Sequence, residues 1–409
     1  MSYYRPDRPV AFTAAFNAGS VYDPVNLNCR AHAAEHMLMA GTRQHPTKDK
    51  LAAHIEQRGG TIVAYTKLDM LELAYTIGEA GQFGSVVDLL NQQVTDSLYD
   101  EGAFASERAS VRQELGRLRT EWTQLNERLG CAHLLENTVL GGKIMETETA
   151  ISAITLWDVQ EHIAQRFTGN NLVLVVAGGI TLEDAIAEFD RRLNLEQGTA
   201  PFVRPPTVVH QLPQDRIRVH ALEGADQTRL AYSFAGYTPE HPDNPALDVL
   251  TAALGGGRAA SLTRILRYGA KLIYVVRAFN RCENYNAWAI YTGTGPDHVA
   301  EVVRLINGEL NRARNGDFTA EEIAIARDTL INSVPLQLDP IESLPDYHTR
   351  ADLYRWSARS YIPGWTQAVS AVTPDDIARV AQDIFRPGQS VLTLCGARPT
   401  DRLGPELLF

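Results

Sequence analysis

The sequence predicts an α+β protein made of two tandem homologous domains, each an antiparallel-rich sheet packed with helices. Three observations predict it. Two long segments match each other at a fixed offset without a gap. Strand-like runs are followed by blocks of helix, which suits α+β layers rather than a parallel doubly wound sheet. A Pro- and Gly-rich stretch separates the matching halves.

The match pairs ITLWDVQEHIAQRFTGNNLVLVVAGG, from Ile154, with VTPDDIARVAQDIFRPGQSVLTLCGA, from Val372, an offset of 218 residues. Asp158 falls on Asp376, Val159 on Ile377, Phe167 on Phe385 and Gly178 on Gly396. In each copy a Thr and an Asp open an amphipathic helix, a Phe closes it, and a polar turn leads into an apolar strand. The same offset sets Phe16 on Phe234, at the ends of the strand-like runs PVAFTAAF and TRLAYSF. Periodicity then predicts helices near 28–42, 46–58, 84–97, 103–128 and 155–167, and strands near 61–67, 70–77 and 171–177, with the order repeated in the second half. Residues 1–195 form the first domain, 196–215 an extended linker, and 216–409 the second domain.

Composition narrows the function. The length of 409 residues suits two domains of ordinary size. A formal net charge of −11 argues against nucleic acid or an anionic membrane as the main partner. The N-terminus lacks the apolar core of a secretory signal, and no run of 18 apolar residues occurs. Cys29, Cys131, Cys282 and Cys395 are widely spaced and form no C-x-x-C pair. A reducing, cytoplasmic setting with free thiols is the expectation. Cys29 precedes His32 by three residues and is read as a buried small hydrophobe.

The chemistry concentrates in His32-Ala33-Ala34-Glu35-His36. Histidines four apart on a helix share one face, one turn from each other, and both can reach one zinc ion. Glu35 lies beside them, where a carboxylate can accept a proton from metal-activated water. The spacing is the inverted zincin pattern H-x-x-E-H. A helix with two surface histidines is the plain alternative, but it demands no third ligand. FASERASVRQELGRLRTEW offers one, because Glu107 and Glu114 stand two helical turns apart on one face. Either could be the ligand, with the other orienting the site. The second copy is an internal control. At the same offset His32, Glu35 and His36 become Leu250, Ala253 and Leu254, and Glu114 becomes Asn332. The fold therefore does not require the polar set.

AHAAEHMLMAGT resembles the H-x-x-E-H-M-L-F-x-G-T segment of the pitrilysin and insulin-degrading enzyme family, which includes mitochondrial processing peptidases and bacterial relatives of about this length. IEQRGG, the glutamate helix and the duplicated halves extend the likeness over nearly the whole chain. The resemblance implies a zinc metalloendopeptidase with one Zn2+ per chain, ligated by His32, His36 and Glu114. Glu35 would be the general base and Glu107 the supporting glutamate. It also implies a distal pair after the glycines of LGGGRAASLTRILRYGAKLIY, namely Arg267 and Tyr274, which would bind the substrate backbone and support the oxyanion. The chain departs from the family pattern in three places. Val63 replaces the Asn of Asn-Ala-x-Thr, AASLTRIL replaces S-R-L-F, and RYGAKLIY replaces R-E-x-x-G-L-A-Y.

The expected substrate is an unstructured peptide or a leader segment, held extended along a strand edge near Leu71–Ile77. Two linked domains suggest a closing clamshell. Homodimer and heterodimer with a sister chain are both open, and a non-catalytic scaffold subunit is the rival from another class. The remaining histidines show no ligand spacing, and GGG at 255–257 lacks the ending of a phosphate loop.

Overall fold

A computed structural model describes residues 2–6, 8–198, 208–281, 286–353 and 362–409. Cys282 and most of the Pro-rich part of the expected linker lie outside the described residues. The first sheet contains β1 (Ser2–Tyr4), β2 (Val10–Phe16), β3 (Thr61–Thr66), β4 (Leu71–Ile77) and β5 (Leu172–Gly178), in the order β1-β5-β2-β4-β3. The second contains β6 (Ile217–Ala221), β7 (Thr228–Ala235), β8 (Ile273–Arg281), β9 (Ala287–Thr294) and β10 (Ser390–Gly396), in the order β6-β10-β7-β9-β8. In both, the first strand pairs parallel to the last and the other pairings are antiparallel.

The repeat extends to register. Phe16 stands opposite Leu172 in the first sheet, and Phe234 opposite Ser390 in the second, so both partners shift by the same 218 residues. On the other flank Phe16 faces Leu71, whereas Phe234 faces Trp288. The second copy is one residue shorter in that interval.

Helices of the first half are α1 (Arg30–Ala40), α2 (Lys48–Glu56), α3 (Phe83–Thr95), α4 (Glu101–Thr120), α5 (Trp122–Leu134), α6 (Glu148–Ala153), α7 (Leu156–Arg166) and α8 (Leu182–Arg192). Those of the second half are α9 (Asn244–Gly255), α10 (Val299–Arg314), α11 (Ala320–Leu338), α12 (Ser343–Leu353), α13 (Ile362–Ser370) and α14 (Pro374–Ile384). The Thr and Asp of the repeated segment form complete capping boxes, Thr155 with Asp158 on α7 and Thr373 with Asp376 on α14.

The chain divides into two compact units that are not simple halves. The first comprises 1–117, 146–205 and 335–354, and the second comprises 118–145, 206–334 and 355–409. Each unit takes in a segment from the far half, and these segments are themselves equivalent, since 118–145 shifted by 218 falls on 336–363. The borrowed helices explain why β2 and β7 are almost wholly buried. One face of β2 supplies Val10, Phe12, Ala14 and Phe16 to a core shared with α1, α3 and α7. The opposite face, with Ala11, meets Ile341 and Leu344 near α12. In the second unit α5 lies on β7 so closely that a side chain on Gly130 would come within 2.5 Å of the Ala231 methyl. Strands covered on both faces read as near-continuous apolar runs, as PVAFTAAF does.

Two expectations need correction. The helix expected over 103–128 is two helices, because Glu121 leaves helical geometry (φ −84°, ψ 69°) between α4 and α5. The free strand edge is β3, not the stretch 71–77, since β4 is paired on one side with β2 and on the other with β3. Alternation shows the same thing: β3 is exposed or half-buried throughout, with Val63 and Tyr65 facing solvent.

Candidate metal centre

Helix α1 carries the H-x-x-E-H segment. Ala31, Ala33, Ala34, Met37 and Leu38 sink into the core, and this fixes the opposite side of the helix toward α4. No side chain caps the helix locally. Instead Asp23, from the preceding loop, accepts the Ala31 N–H with both oxygens, at 3.1 and 3.2 Å, and lies 3.7 Å from Arg30 Nε. Burial pushes the Asp23 carboxyl up to about 7 despite these favourable contacts. The helix stops at Gly41 (φ 149°), where a Cβ would meet the His45 carbonyl at 2.9 Å.

Three side chains converge. Glu114 Oε2 on α4 lies 3.3 Å from His32 Nε2 and 3.6 Å from His36 Nε2. One donor atom from each of the three residues falls within 4.8 Å of the other two. A tetrahedral zinc ion with bonds near 2.0–2.1 Å needs donor atoms about 3.3 Å apart. Two imidazoles and a carboxylate at these separations fit that ion.

The surrounding acids decide how the rings present themselves. Glu107 Oε2 lies 2.9 Å from His36 Nδ1 and 3.2 Å from Lys48 Nζ. A carboxylate only accepts, so Nδ1 of His36 carries the hydrogen and Nε2 keeps its lone pair for a metal. The hydrogen bond from His36, helped by the Lys48 charge, holds the Glu107 carboxyl below the usual range. Of the two glutamates that spacing left open, Glu114 is thus the one beside both Nε2 atoms and Glu107 the one behind a ring.

His32 has the same kind of support from a residue that the sequence did not disclose. Glu146 Oε2 lies 3.2 Å from His32 Nδ1, and its side chain is only 10% exposed. It follows α1 by more than a hundred residues, in a turn segment with no periodicity and no motif, so spacing gives no signal for it. Burial alone would drive the His32 imidazolium down. Hydrogen bonds to Glu114 and Glu146, with the charges of Glu146 and Glu35, outweigh burial and bring its pKa up to about 10. The cluster therefore attracts positive charge strongly, and a proton occupies the ring when no metal does.

Glu35, on the same helix, accepts a 2.6 Å hydrogen bond on Oε2 from Thr66 Oγ1, at the end of β3. Oε1 takes no part in that bond. Val63, which stands in place of the family's Asn, is on the same edge strand and is 40% exposed.

Arg267 and Tyr274 lie in the second unit. Arg267 belongs to a π-helical turn, Thr263–Gly269, a geometry enriched at functional sites. Its guanidinium sits 4.6 Å from the Tyr274 ring centre and 5.7 Å from that of Tyr268. Register slips between Ile273 and Val276 on the edge strand β8, and the irregularity turns Tyr274 outward until it is 77% exposed. In the second copy Leu250, Ala253 and Leu254 are core residues of α9. Cys29 is buried, with its thiol 3.9 Å from the Thr147 carbonyl, and takes no part in the ligand group. His133, His162 and His210 each bond a backbone carbonyl inside the protein.

Residues 3–148 match the profile described as Insulinase (Peptidase family M16), and residues 153–330 match the one described as Peptidase M16 inactive domain. The chain belongs to the insulinase, or M16, peptidase family. It is 23% identical to an uncharacterized zinc protease of Streptomyces coelicolor, over 94% of this chain and 85% of that one. It is 25% identical to the beta subunit of the mouse mitochondrial-processing peptidase, over 95% and 80% of the two chains. A protease structure from Helicobacter pylori superposes with a TM-score of 0.84 at 17% identity, covering 97% and 96%. A structure from Pseudomonas fluorescens, titled as a peptidase M16 inactive domain, gives 0.83 at 17% identity, covering 98% and 96%. At that identity the structures speak for the fold alone. His32, Glu35, His36, Glu107, Glu114 and Glu146 all fall within the first profile, and Arg267 and Tyr274 within the second. Among the described residues no helix is long and apolar enough to cross a membrane.

Proposed function

We propose that this protein is a zinc-dependent endopeptidase acting on extended, unstructured peptides. The observation that carries the reading is the convergence of His32, His36 and Glu114 at zinc-ligand separations, with Glu35 on the same helix and a carboxylate behind each ring. A zinc ion held by these three residues would supply Lewis acidity toward a water and a carbonyl.

Glu35 is the general base. Thr66 anchors Oε2, so Oε1 takes a proton from water as the oxygen adds to the scissile carbonyl, and returns it to the leaving amine as the C–N bond breaks. The free edge of β3 offers unpaired backbone groups to an extended peptide, and Thr66 at its end brings that peptide past Glu35. The family likeness implies for Tyr274 the support of the oxyanion and for Arg267 the binding of the substrate backbone. The exposure of Tyr274, the π-helical turn around Arg267 and the strand irregularity support that assignment.

The test is cleavage of a pool of quenched fluorescent peptides by the purified chain beside Glu35→Gln, with zinc content measured in both. Cleavage that falls by about 10³-fold in Glu35→Gln with zinc retained is the expected result. Cleavage undiminished in Glu35→Gln removes the base assignment. Absence of both zinc and cleavage in the parent removes the reading. The relatives named as beta subunits favour one second reading, that this chain is the catalytic half of a heterodimer. Zinc bound without cleavage by the chain alone is its signature.

A further inference from the structure

We propose that Glu146 is a positioning residue of the metal centre, which fixes the His32 ring with hydrogen on Nδ1 and the Nε2 lone pair aimed at the ion. The proposal rests on the zinc reading above and extends it, because it makes the orienting shell two-sided. Glu107 stands behind His36 at 2.9 Å and Glu146 behind His32 at 3.2 Å. Their side chains are nearly as buried as each other, 11% and 10% exposed, whereas that of the ligand Glu114 is 48% exposed. The shell is closed and the metal side is open.

Glu146 is also held in place. Thr147, the next residue, caps α6 by accepting the Ala150 N–H at 3.0 Å. Ala150 and Ile151 of that short helix are buried in the core of the first unit. The Thr147 carbonyl faces the thiol of Cys29, the residue just before α1. The residue after the carboxylate is thus tied both to α6 and to the residue that precedes the histidine helix. A carboxylate this buried is costly unless charged or strongly donating groups meet it, and His32 is one of them. A ligand ring freed from such a partner can rotate about its Cβ–Cγ bond and present either nitrogen, which lowers metal affinity.

The experiment is zinc affinity, by chelator competition, for the parent, Glu146→Ala, Glu146→Gln and Glu107→Ala. Circular dichroism and thermal unfolding with chelator present serve as the fold check. Glu146→Ala is expected to weaken zinc binding about 10- to 100-fold, like Glu107→Ala. Glu146→Gln, whose amide oxygen still accepts from Nδ1–H, is expected to lose less. Nitrogen NMR of the histidine rings in the zinc-loaded protein gives a second readout. His32 should hold a slowly exchanging Nδ1 hydrogen in the parent and lose its protection in Glu146→Ala. Unchanged affinity and unchanged ring signals in a folded Glu146→Ala overturn the proposal and leave the peptidase reading standing. Should Glu146→Ala fail to fold, Glu146→Gln decides, and affinity equal to the parent's overturns it. A parent that binds no zinc overturns both together.

Discussion

Helix α1 buries Ala31, Ala33, Ala34, Met37 and Leu38, gives His32 and His36 to the candidate metal centre and holds Glu35 against Thr66. Helix α9, in the same place of the second copy, fills the corresponding positions with Leu250, Ala253 and Leu254, all in the core. The sheets behind them share strand order and, on the β2–β5 and β7–β10 flank, register. One architecture thus tolerates both sets of residues. The polar set brings ionisable groups out of water and needs partners: Glu107 for His36, Glu146 for His32, Lys48 for Glu107. None of that is required for the helix to pack, so it reports on function rather than on folding.

The sharpest way to break the comparison is to write the second copy's residue into the first. His36→Leu copies Leu254. Loss of one of three ligands should weaken zinc binding on the order of 10³-fold or more, since zinc sites store several kcal/mol per ligand. Lys48 still neutralises Glu107, so the metal-free variant should unfold within about 1 kcal/mol of the metal-free parent. Thermal unfolding with chelator and zinc titration check both halves. A metal-free variant that loses several kcal/mol would make His36 a structural residue.

The edge strands give the next contrast. β3 ends at Thr66, which holds Glu35, and β8 carries the outward-turned Tyr274. If the second copy contributes oxyanion support, Tyr274→Phe should lower kcat about 10²-fold with little change in KM and none in zinc content. A rise in KM alone would reduce Tyr274 to substrate grip.

A buried histidine distinguishes α7 from α14. His162 is fully buried and bonds the Ala18 carbonyl at 2.9 Å, and Val380 occupies its place in the second copy. Burial, reinforced by the nearby Arg30 charge, lowers the His162 pKa from 6.5 to about 3. The folded state therefore keeps the ring neutral where the unfolded chain takes up a proton. The stability this gives is complete above pH 6.5 and declines toward pH 3, by up to about 1.4 kcal/mol per pH unit. Asp23 runs the other way. Its raised pKa means stability is lost as pH climbs from about 4 to about 7, equally in parent and variant. His162→Val, assayed by denaturant unfolding across that range, should be about 1–3 kcal/mol less stable than the parent at pH 7.5, with the Ala18 carbonyl unpaired. The deficit should shrink and then reverse as pH falls. A deficit that stays constant would show that the ring titrates normally.

The fold was legible because duplication doubles every weak signal. Phe16 and Phe234, Thr155 and Thr373, Asp158 and Asp376 each fixed an element twice. What a repeat cannot disclose is a segment that packs with the other copy. The sequence carries α4 into α5 and α11 into α12 without a domain-like break, and only three-dimensional contacts assign 118–145 and 335–354 across the repeat. The candidate ligands were legible because two lie one helical turn apart. Choosing Glu114 over Glu107 needed the family likeness, and geometry separates them by which ring nitrogen each faces. Glu146 was not legible at all, because tertiary folding alone brings it to His32.

The smallest expected effect bears on the part of the comparison where the copies agree. Thr155 accepts the Asp158 N–H at 3.3 Å while the Thr155 N–H reaches Asp158 Oδ2 at 2.8 Å; in the second copy Thr373 and Asp376 make the same two bonds at 3.2 and 3.0 Å. Each box satisfies backbone donors that the first helical turn leaves open, so Thr155→Ala and Thr373→Ala should each destabilise by about 1 kcal/mol. Neither box includes a residue of the candidate metal centre, so the two values should match within about 0.5 kcal/mol and should add in the double variant. Denaturant unfolding of the two single variants and the double, each with and without chelator, measures this. A loss at Thr155 that exceeded the one at Thr373 only in the presence of zinc would mean that the α7 cap supports the loaded site, and would extend the functional difference between the copies from α1 into the packing beneath it.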